Sequence, residues 1–243
     1  MKLIFSRFGG KFKKSKEIIS HFTNHKIYVE CFLGSGAIFL NKDSSELSVL
    51  NDLDPLIYNI FKGAKENYEI FDNKEWDWKP NKEKWIQFKK DLSNGDNDLY
   101  KSIYIIYHSW SGLGTNFTAT RWGDNYNYKR VLSDYIEKFK NTEIHKKDYL
   151  DIIDKYDSED TLFYLDPPYD VALKKNYYEY QGGINFIEMR DKLKNIKGKF
   201  FLSLDITPLT TEIFKEFNLN EIIFKYDTRK HNKIVKEYLI TNI

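Results

Sequence analysis

The fold of this chain is indicated first by one continuous stretch, Lys26-Ile-Tyr-Val-Glu-Cys-Phe-Leu-Gly-Ser-Gly-Ala-Ile-Phe-Leu40. A β-rich run at its start is followed by the turn Gly34-Ser-Gly36 and then by an apolar helical segment. A second β-rich run, Leu47-Ser-Val-Leu50, ends at Asn51-Asp52. The order strand, turn, helix, strand predicts a βαβ unit within a parallel sheet.

Later segments extend this sheet. Four further runs have strand character, and they are 161–165, 199–204, 221–226 and 236–240. The first two are apolar throughout or nearly so, as expected for strands buried on both faces, and the last two have a spacing that suits an antiparallel hairpin. From Pro55 to about Lys140, apolar residues recur at helical spacing instead. We therefore predict an α/β domain formed by residues 1–54 and 141–243, with a mainly helical insertion over residues 55–140.

Composition narrows the class of protein. The chain has 243 residues, of which 41% are apolar and 17% aromatic, so it is long enough for a packed core and too aromatic for a disordered chain. Its net charge of +2 excludes a polycationic packaging protein. The single cysteine, Cys31, excludes an internal disulfide and a cysteine-based zinc site. No segment has the pattern of a signal peptide or a membrane span, so we expect a cytoplasmic protein.

The sharpest chemical signal is Asp166-Pro-Pro-Tyr169, which directly follows the strand run ending at Leu165. A carboxylate at this point lies at the carboxyl end of a parallel strand, where open α/β sheets bind ligands. Pro168 forces Pro167 into an extended conformation, so the Pro167 carbonyl has a fixed direction beside Asp166. These two acceptors could accept hydrogen bonds from both N–H groups of an exocyclic amine, while Tyr169 stacks on the ring that carries the amine. The alternative is a strand end closed by a proline turn.

The glycine turn after the first strand run is a second candidate site. Glycines between a strand and a helix let a ligand approach the backbone at the helix N-terminus. The turn is not a dinucleotide fingerprint, because the third glycine of that pattern would fall at Phe39. A short glycine loop followed by Asp52 at the end of the next strand fits a single nucleoside, whose ribose hydroxyls would donate to Asp52. A tight structural turn is the alternative, and Phe8-Gly-Gly-Lys11 near the start is uninformative alone.

Together, the motifs resemble the Dam-like (D12 class) DNA N6-adenine methyltransferases from about Arg7 to Asn242. The likeness includes Glu30-x-Phe32-x-Gly34-x-Gly36, Asn51-Asp-x-Asp-Pro55 and Glu237-Tyr-Leu-Ile-Thr-Asn242. It implies a Rossmann-like S-adenosylmethionine-dependent methyltransferase sheet with an inserted target-recognition domain. The implied reaction is site-specific methylation of N6 of a flipped-out adenine in double-stranded DNA, without a metal, in a bacterial cell or a phage- or virus-infected host.

The resemblance also assigns residues to this reaction. The catalytic tetrapeptide is Asp166, Pro167, Pro168 and Tyr169. Contacts to S-adenosyl-L-methionine are implied for Arg7, Phe8, Lys11, Glu30, Phe32, Gly34, Ser35, Gly36, Asp52, Asp148, Tyr149 and Asp166. Within this set, Asp52 is the ribose ligand and the pair Asp148-Tyr149 holds the adenine of the cofactor. Two positions depart from the family pattern, since Cys31 replaces a common proline and Arg7 stands where an aromatic residue is usual.

Contacts to DNA are expected from the insertion and from two basic clusters. The stretch from Trp110 to Trp122 resembles only in part the recognition hairpin of family members that read GATC, so a target sequence does not follow. The residues expected to meet DNA are Trp110, Ser111, Asn116, Arg121, Trp122, Arg229 and Lys230. Arg121 is the candidate for a base-edge contact, with a buried Arg–Trp stack as the alternative. Lys11–Lys16 and Arg229–Lys233 are candidate phosphate contacts, with an ordinary solvated face as the alternative.

Two rival functions remain open at this point. The first is methylation of another amine, on cytosine N4, an RNA base or a protein glutamine. The resemblance favours adenine, because position 166 is Asp and not Ser or Asn. The second rival is a non-catalytic nucleic-acid-binding relative. The intact Asp166-Pro-Pro-Tyr169, Asp52 and Gly34-x-Gly36 argue against it, because no binding role demands all three.

Overall fold

The structure is a computed structural model that describes residues 3–66, 76–119, 136–168, 183–228 and 231–243, without the side chains of 224–228 and 231–235. Within these ranges the chain forms a seven-stranded sheet covered by helices on both faces. No helix in the described part of the chain is long and apolar enough to cross a membrane.

The sheet has the strand order of a Rossmann-like fold at one end and a hairpin at the other. In chain order the strands are β1 (Ile27–Glu30), β2 (Leu47–Asn51), β3 (Thr142–His145), β4 (Thr161–Leu165), β5 (Lys199–Asp205), β6 (Asn218–Thr228) and β7 (His231–Thr241). They lie side by side as β3-β2-β1-β4-β5-β7-β6. The first five pair in parallel, and β7 is antiparallel to both β5 and β6. The predicted α/β fold and its closing antiparallel hairpin are confirmed.

The helices described by the structure connect these strands. They are α1 (Ser15–Ser20), α2 (Ala37–Asn41), α3 (Pro55–Glu66), α4 (Lys82–Ser93), α5 (Leu99–Tyr107), α6 (Ile136–Phe139), α7 (Tyr149–Tyr156), α8 (Phe186–Leu193) and α9 (Pro208–Ile213). Short 3₁₀ turns occur at Phe12–Lys14 and Trp110–Gly112. Helices α3, α4, α5 and α6 lie within the segment predicted to be a helical insertion, and the division into two domains stays a prediction.

Strand β3 is an element that the sequence pattern did not predict. Its sequence, Thr142-Glu-Ile-His145, contains one strongly apolar residue. It pairs with β2 at the edge of the sheet, in register from Ser48 opposite Thr142 to Asn51 opposite His145. An edge strand has one neighbour and is less buried than a central strand, so it carries no continuous apolar run by which it could be recognised.

Successive residues of the central strands pack into two apolar clusters, one on each face of the sheet. Tyr28 and Leu162 belong to the cluster that includes α2, α3 and α5. Val29 and Phe163 belong to the cluster that includes α7, α8 and α9. Helices cover both faces of the sheet. The polar groups that follow several strands therefore come together at its carboxyl edge and not on a face.

The glycine turn between β1 and α2 is closely packed. Gly34 and Gly36 have φ angles of +50° and +66°, in the left-handed region that favours glycine. A Cβ atom on Gly36 would lie 2.5 Å from Cζ of Phe61, which belongs to α3. The turn therefore needs glycine at position 36 both for its backbone conformation and for the space that Phe61 occupies.

We expect Gly36→Ala to lower the free energy of unfolding by about 2–4 kcal/mol, because the left-handed backbone and the overlap with Phe61 both oppose the added methyl group. Gly34→Ala is the matched control, since its φ is also positive but its Cβ would meet nothing within 4 Å. It should cost about 1 kcal/mol. Urea denaturation of the two variants compares these losses, and equal losses would show that Phe61 does not restrict the turn.

Candidate active site

The candidate site is a cavity of about 100 Å³ at the carboxyl edge of the sheet, between β1 and β4. This is where the strand order reverses, since β2 and β3 lie to one side and β5 to the other. The predicted site residues that line this cavity are Arg7, Phe8, Lys11, Glu30, Phe32, Gly34, Ser35, Asp52, Asp166, Pro167 and Pro168. Four segments therefore meet here: the N-terminal segment and the loops after β1, β2 and β4.

Asp166 is held at the cavity by an ion pair. Its Oδ1 accepts a hydrogen bond from Nζ of Lys11 at 2.7 Å, and the two side chains are 18% and 4% exposed. Burial raises the pKa of Asp166, and the ammonium of Lys11 offsets part of this rise. The Lys11 contact thus favours the ionised carboxylate and fixes its position beside the buried Pro167 and Pro168.

Asp52 is fixed by backbone donors on both oxygens. Oδ2 accepts from the Gly34 amide at 2.8 Å, and Oδ1 accepts from the Asp54 amide at 3.0 Å. The residue is buried, and its burial together with the nearby Asp54 carboxylate raises the pKa of Asp52 to about 6. The Asp52 carboxyl group is therefore orientated toward the glycine turn and titrates close to neutral pH.

Arg7 joins the N-terminal segment to the loop after β2. Its Nη2 donates to Oδ2 of Asp54 at 2.7 Å, and the side chains of this pair are 6% and 5% exposed. Oδ1 of Asp54 accepts from the Leu56 amide in the first turn of α3. Arg7, which departs from the aromatic pattern of the resembled family, therefore contributes a buried ion pair beside the cavity.

Glu30 lines the same cavity, but one of its oxygens is occupied within the protein. Oε2 accepts from the Tyr28 hydroxyl at 2.7 Å and from the Phe39 amide of α2 at 3.0 Å. Burial raises the pKa of Glu30 to about 8, so the group is mainly protonated at neutral pH. Glu30 thereby connects β1 to the start of α2, and its predicted contact with a cofactor stays a prediction.

A second cavity, of about 220 Å³, lies next to the first and shares Phe32 with it. Asp148 and Tyr149 line it, as does Glu188 of α8. Oδ1 of Asp148 caps α7 by accepting from the Leu150 amide at 2.8 Å. The Tyr149 ring lies 5.2 Å from the Phe32 ring, and its buried hydroxyl has no hydrogen-bond partner within the described residues.

Asn51 is a positioning residue that was not identified from the sequence. Its side-chain amide donates to the carbonyls of Cys31 and Lys147, and its oxygen accepts from the Lys147 amide. It thereby connects the ends of β1 and β2 to the segment that carries Asp148. Its place in the motif Asn51-Asp52 was the available signal, but the partners are 20 and 96 positions away along the chain.

The prediction of phosphate contacts from Lys11 to Lys16 is wrong for two of its lysines. Lys11 and Lys14 are buried rather than exposed to solvent. Lys14 donates to Oε1 of Glu237 at 2.5 Å, and Nζ of Lys11 lies 3.6 Å from Oε2 of the same residue. Their physical role is therefore internal charge pairing, and Lys13 and Lys16 are the exposed lysines of this cluster.

An exposed aromatic pair borders the cavity. Phe8 and Trp110 are 45% and 49% exposed, and their rings are stacked with centroids 6.2 Å apart. The Phe8 amide donates to the Ser111 carbonyl at 2.9 Å, and the Trp110 amide donates to the carbonyl of the exposed Asn116. The stretch predicted to meet DNA thus begins beside the N-terminal side of the cavity. Other predicted site residues lie outside the described part of the chain, and they are Arg121, Trp122, Tyr169, Arg229 and Lys230.

Comparison with known proteins decides the family. The profile of a family described as D12 class N6 adenine-specific DNA methyltransferase matches residues 8–228. This chain belongs to that family. The predicted resemblance is therefore confirmed, as is the predicted activity: the protein is an enzyme that methylates adenine in DNA and requires a methyl donor. The comparison does not support the two rival functions, which were methylation of cytosine N4, RNA or protein and a non-catalytic role in nucleic-acid binding.

Individual relatives share modest identity with this methyltransferase. The DNA adenine methylase of Vibrio cholerae serotype O1 is 27% identical over 190 residues, covering 72% of this chain and 68% of that protein. The type II methyltransferase M.CviBI of Paramecium bursaria Chlorella virus NC1A is 23% identical, covering 99% of this chain and 97% of that protein. Among solved structures, the precorrin-6y C5,15-methyltransferase of Geobacter metallireducens GS-15 aligns with a TM-score of 0.42 at 9% identity, over 94% of this chain and 85% of that one.

We expect Arg7→Met to lower the free energy of unfolding by about 3–5 kcal/mol, because it leaves the Asp54 carboxylate buried without its guanidinium partner. Adding Asp54→Asn to this variant should recover part of the loss. The control is Lys26→Met, which breaks an ion pair with Asp160 whose side chains are more than half exposed, and it should have no measurable effect. Chemical denaturation measures all three, and an Arg7→Met protein as stable as the wild type would contradict this account of the pair.

Proposed function

We propose that this methyltransferase takes its methyl group from S-adenosylmethionine and transfers it to an adenine flipped out of double-stranded DNA, with Asp166 as the catalytic residue. The observation that carries this proposal is the meeting of Asp166, Lys11 and the Gly34–Asp52 pair in one cavity at the point where the strand order reverses. The methyl donor and the adenine can approach one another there, because the loops after β1 and β4 leave the same edge of the sheet.

The two cavities fit the parts of S-adenosylmethionine. Asp52 is an orientated acceptor for ribose hydroxyls, and a Cβ on Gly34 would occupy open space beside it. In the second cavity, Asp148 is an acceptor for the adenine amine. The Tyr149 hydroxyl, buried with no hydrogen-bond partner within the described residues, could donate to a ring nitrogen. Phe32 lines both cavities, so one ligand could extend from the first to the second.

The methyl acceptor requires activation by the protein. When bound, S-adenosylmethionine supplies a methyl group on a positively charged sulfur, whereas the adenine N6 lone pair is delocalised into its ring. Asp166 and the Pro167 carbonyl would accept hydrogen bonds from both N6–H groups, which favours a tetrahedral nitrogen and stabilises the positive charge that develops on it. Transfer would form the N6–methyl bond as the sulfur–methyl bond breaks, so the sulfur would leave as a neutral thioether and the methylated amine would release one proton. Lys11 keeps Asp166 in place for this contact. Alignment of the methyl donor and the adenine within one cleft supplies the rest of the rate enhancement.

The DNA side of the site is supported by surface chemistry near the cavity. The exposed rings of Phe8 and Trp110 offer stacking surfaces, and the exposed Lys13 and Lys16 offer phosphate contacts. An adenine N6 within a duplex is inaccessible to Asp166 unless the base leaves the stack. We propose that Tyr169 stacks on the flipped base. We also propose that the insertion over 55–140 reads the target sequence, with Arg121 at a base edge.

We expect Asp166→Asn to reduce the rate of methyl transfer by about two to three decades, because the developing positive charge on N6 loses its carboxylate partner. The measurement is single-turnover transfer of tritiated methyl groups to duplex DNA at saturating S-adenosylmethionine. Single-stranded DNA of the same sequence, assayed in parallel, tests the preference for a duplex.

Calorimetry on the same Asp166→Asn protein is the control, because retained S-adenosylmethionine binding separates loss of chemistry from loss of the cofactor. A folded variant that keeps more than about a tenth of the wild-type rate would remove Asp166 from the catalytic role.

We expect the affinity for S-adenosylmethionine to weaken as the pH falls below about 6. The pKa of Asp52 is raised to about 6, so the carboxylate that accepts from the ribose hydroxyls is progressively protonated below that pH. Affinity should fall with pH toward the level of the Asp52→Asn protein, because protonation removes the same charge. Asp52→Asn should bind about 1–3 kcal/mol more weakly at neutral pH, with a flatter pH dependence. Calorimetric titration across this range checks both, and equal slopes in the two proteins would show that Asp52 is not the titrating ligand.

A further inference from the structure

A second set of charges lies behind Asp166, between the N-terminal segment and strands β5 and β7. Asp205 and Glu237 are directly opposite one another in the antiparallel pairing of these strands. Lys14 contacts Oε1 of Glu237 at 2.5 Å, while Lys11 lies 3.6 Å from Oε2 and 2.7 Å from Asp166. Glu237 is therefore within ion-pair distance of both lysines, and one of these lysines holds the proposed catalytic carboxylate.

Because these side chains are buried, each charge depends on an opposite charge close to it. The side chains of Lys11 and Lys14 are each 4% exposed, and that of Glu237 is 8% exposed. Two ammonium groups so close together in the interior are costly unless a carboxylate faces both. Without Glu237 the carboxylate that faces both ammonium groups would be lost: Lys14 would lose its contact at 2.5 Å, and Lys11 would be held by Asp166 without the opposing carboxylate of Glu237.

We propose that Glu237 is a positioning residue for methyl transfer: it holds Lys11 and Lys14 together, and Lys11 in turn sets the place of the Asp166 carboxylate. The proposal rests on the proposed catalytic role of Asp166. Glu237 reaches neither cavity, since it lines neither of them. Glu237 therefore acts on the reaction through its contact with Lys11 and through its own charge, which raises the pKa of Asp166.

The titratable groups that face Asp166 give the proposal a distinctive signature. The charged groups among them are Lys11, Lys14, Asp205 on β5 and Glu237 on β7, whereas Glu30 on β1 and Tyr164 on β4 are titratable groups that burial keeps mainly neutral at neutral pH. Glu237 raises the pKa of Asp166, whereas Lys14 lowers it. Removing each charge should thus move the pH at which activity is lost in opposite directions.

We expect Glu237→Gln to lower the single-turnover rate at saturating substrates about ten- to a hundredfold, because Lys11 and Asp166 are displaced from their productive positions. Saturating S-adenosylmethionine and DNA keep any change in their affinity out of this rate. The acid limb of the pH–rate profile should move to lower pH by about one unit, since the attraction of both lysines is then directed at Asp166. Lys14→Gln should move this limb to higher pH, because Glu237 then draws Lys11 away from Asp166.

The matched control is Glu221→Gln, which makes the same substitution on β6 in an exposed ion pair with Lys236, at 3.1 Å. It should leave the rate and the pH profile unchanged. Thermal denaturation of each variant establishes that it is folded. Opposite shifts of the acid limb in Glu237→Gln and Lys14→Gln support the proposal, because a merely structural role would not produce them.

A wild-type rate and pH profile for Glu237→Gln would overturn the proposal, as would shifts of both variants in the same direction. If Glu237→Gln does not fold, Lys14→Gln decides alone, and an acid limb that does not move upward overturns it. The Asp166→Asn variant distinguishes failure of the proposed role of Glu237 from failure of the proposed catalytic role of Asp166. If it is inactive while Glu237→Gln is normal, only the role of Glu237 fails, whereas an active Asp166→Asn enzyme removes the catalytic assignment itself.

Discussion

The parallel pairing of β1 with β4 is the constraint on which the site depends. It places Glu30 opposite Tyr164, although the two strands are separated by more than half the chain. Because both strands run in the same direction, the glycine turn after β1 and the Asp166 loop after β4 leave the sheet at the same edge. A polar cleft forms there without interrupting the apolar clusters on either face.

The N-terminal segment completes this cleft through charged contacts. Arg7 pairs with Asp54 and Lys11 pairs with Asp166, so one short segment is attached to the loops after both β2 and β4. A Cβ on Gly10 would lie 3.0 Å from the Arg7 carbonyl and 3.2 Å from Oγ of Ser35, which shows how closely the segment approaches the glycine turn. The N-terminal segment is therefore attached to the cleft by two ion pairs and by close backbone packing.

Burial acts on the three acidic groups of the cleft with different results. The pKa of Glu30 rises to about 8, and this group serves as an acceptor that anchors α2. The pKa of Asp52 rises to about 6, although Arg7 and two backbone amides favour its charged form. Asp166 has the ammonium of Lys11 in direct contact. Protonation states thus differ among carboxyl groups of one cavity because their neighbours differ.

The sequence by itself determined the βαβ start, the closing hairpin and the family, and it identified Gly34, Ser35, Asp52 and Asp166, which line the cavity. These follow from local periodicity and short motifs. Tertiary structure alone decided that β3 forms an edge strand, that Lys11 and Lys14 are buried, and that Glu237 compensates them. Lys14 and Glu237 are 223 positions apart. The burial of a charge and its partner depend on which segments the fold brings together, and a local pattern of lysines looks the same whether it faces water or a distant carboxylate.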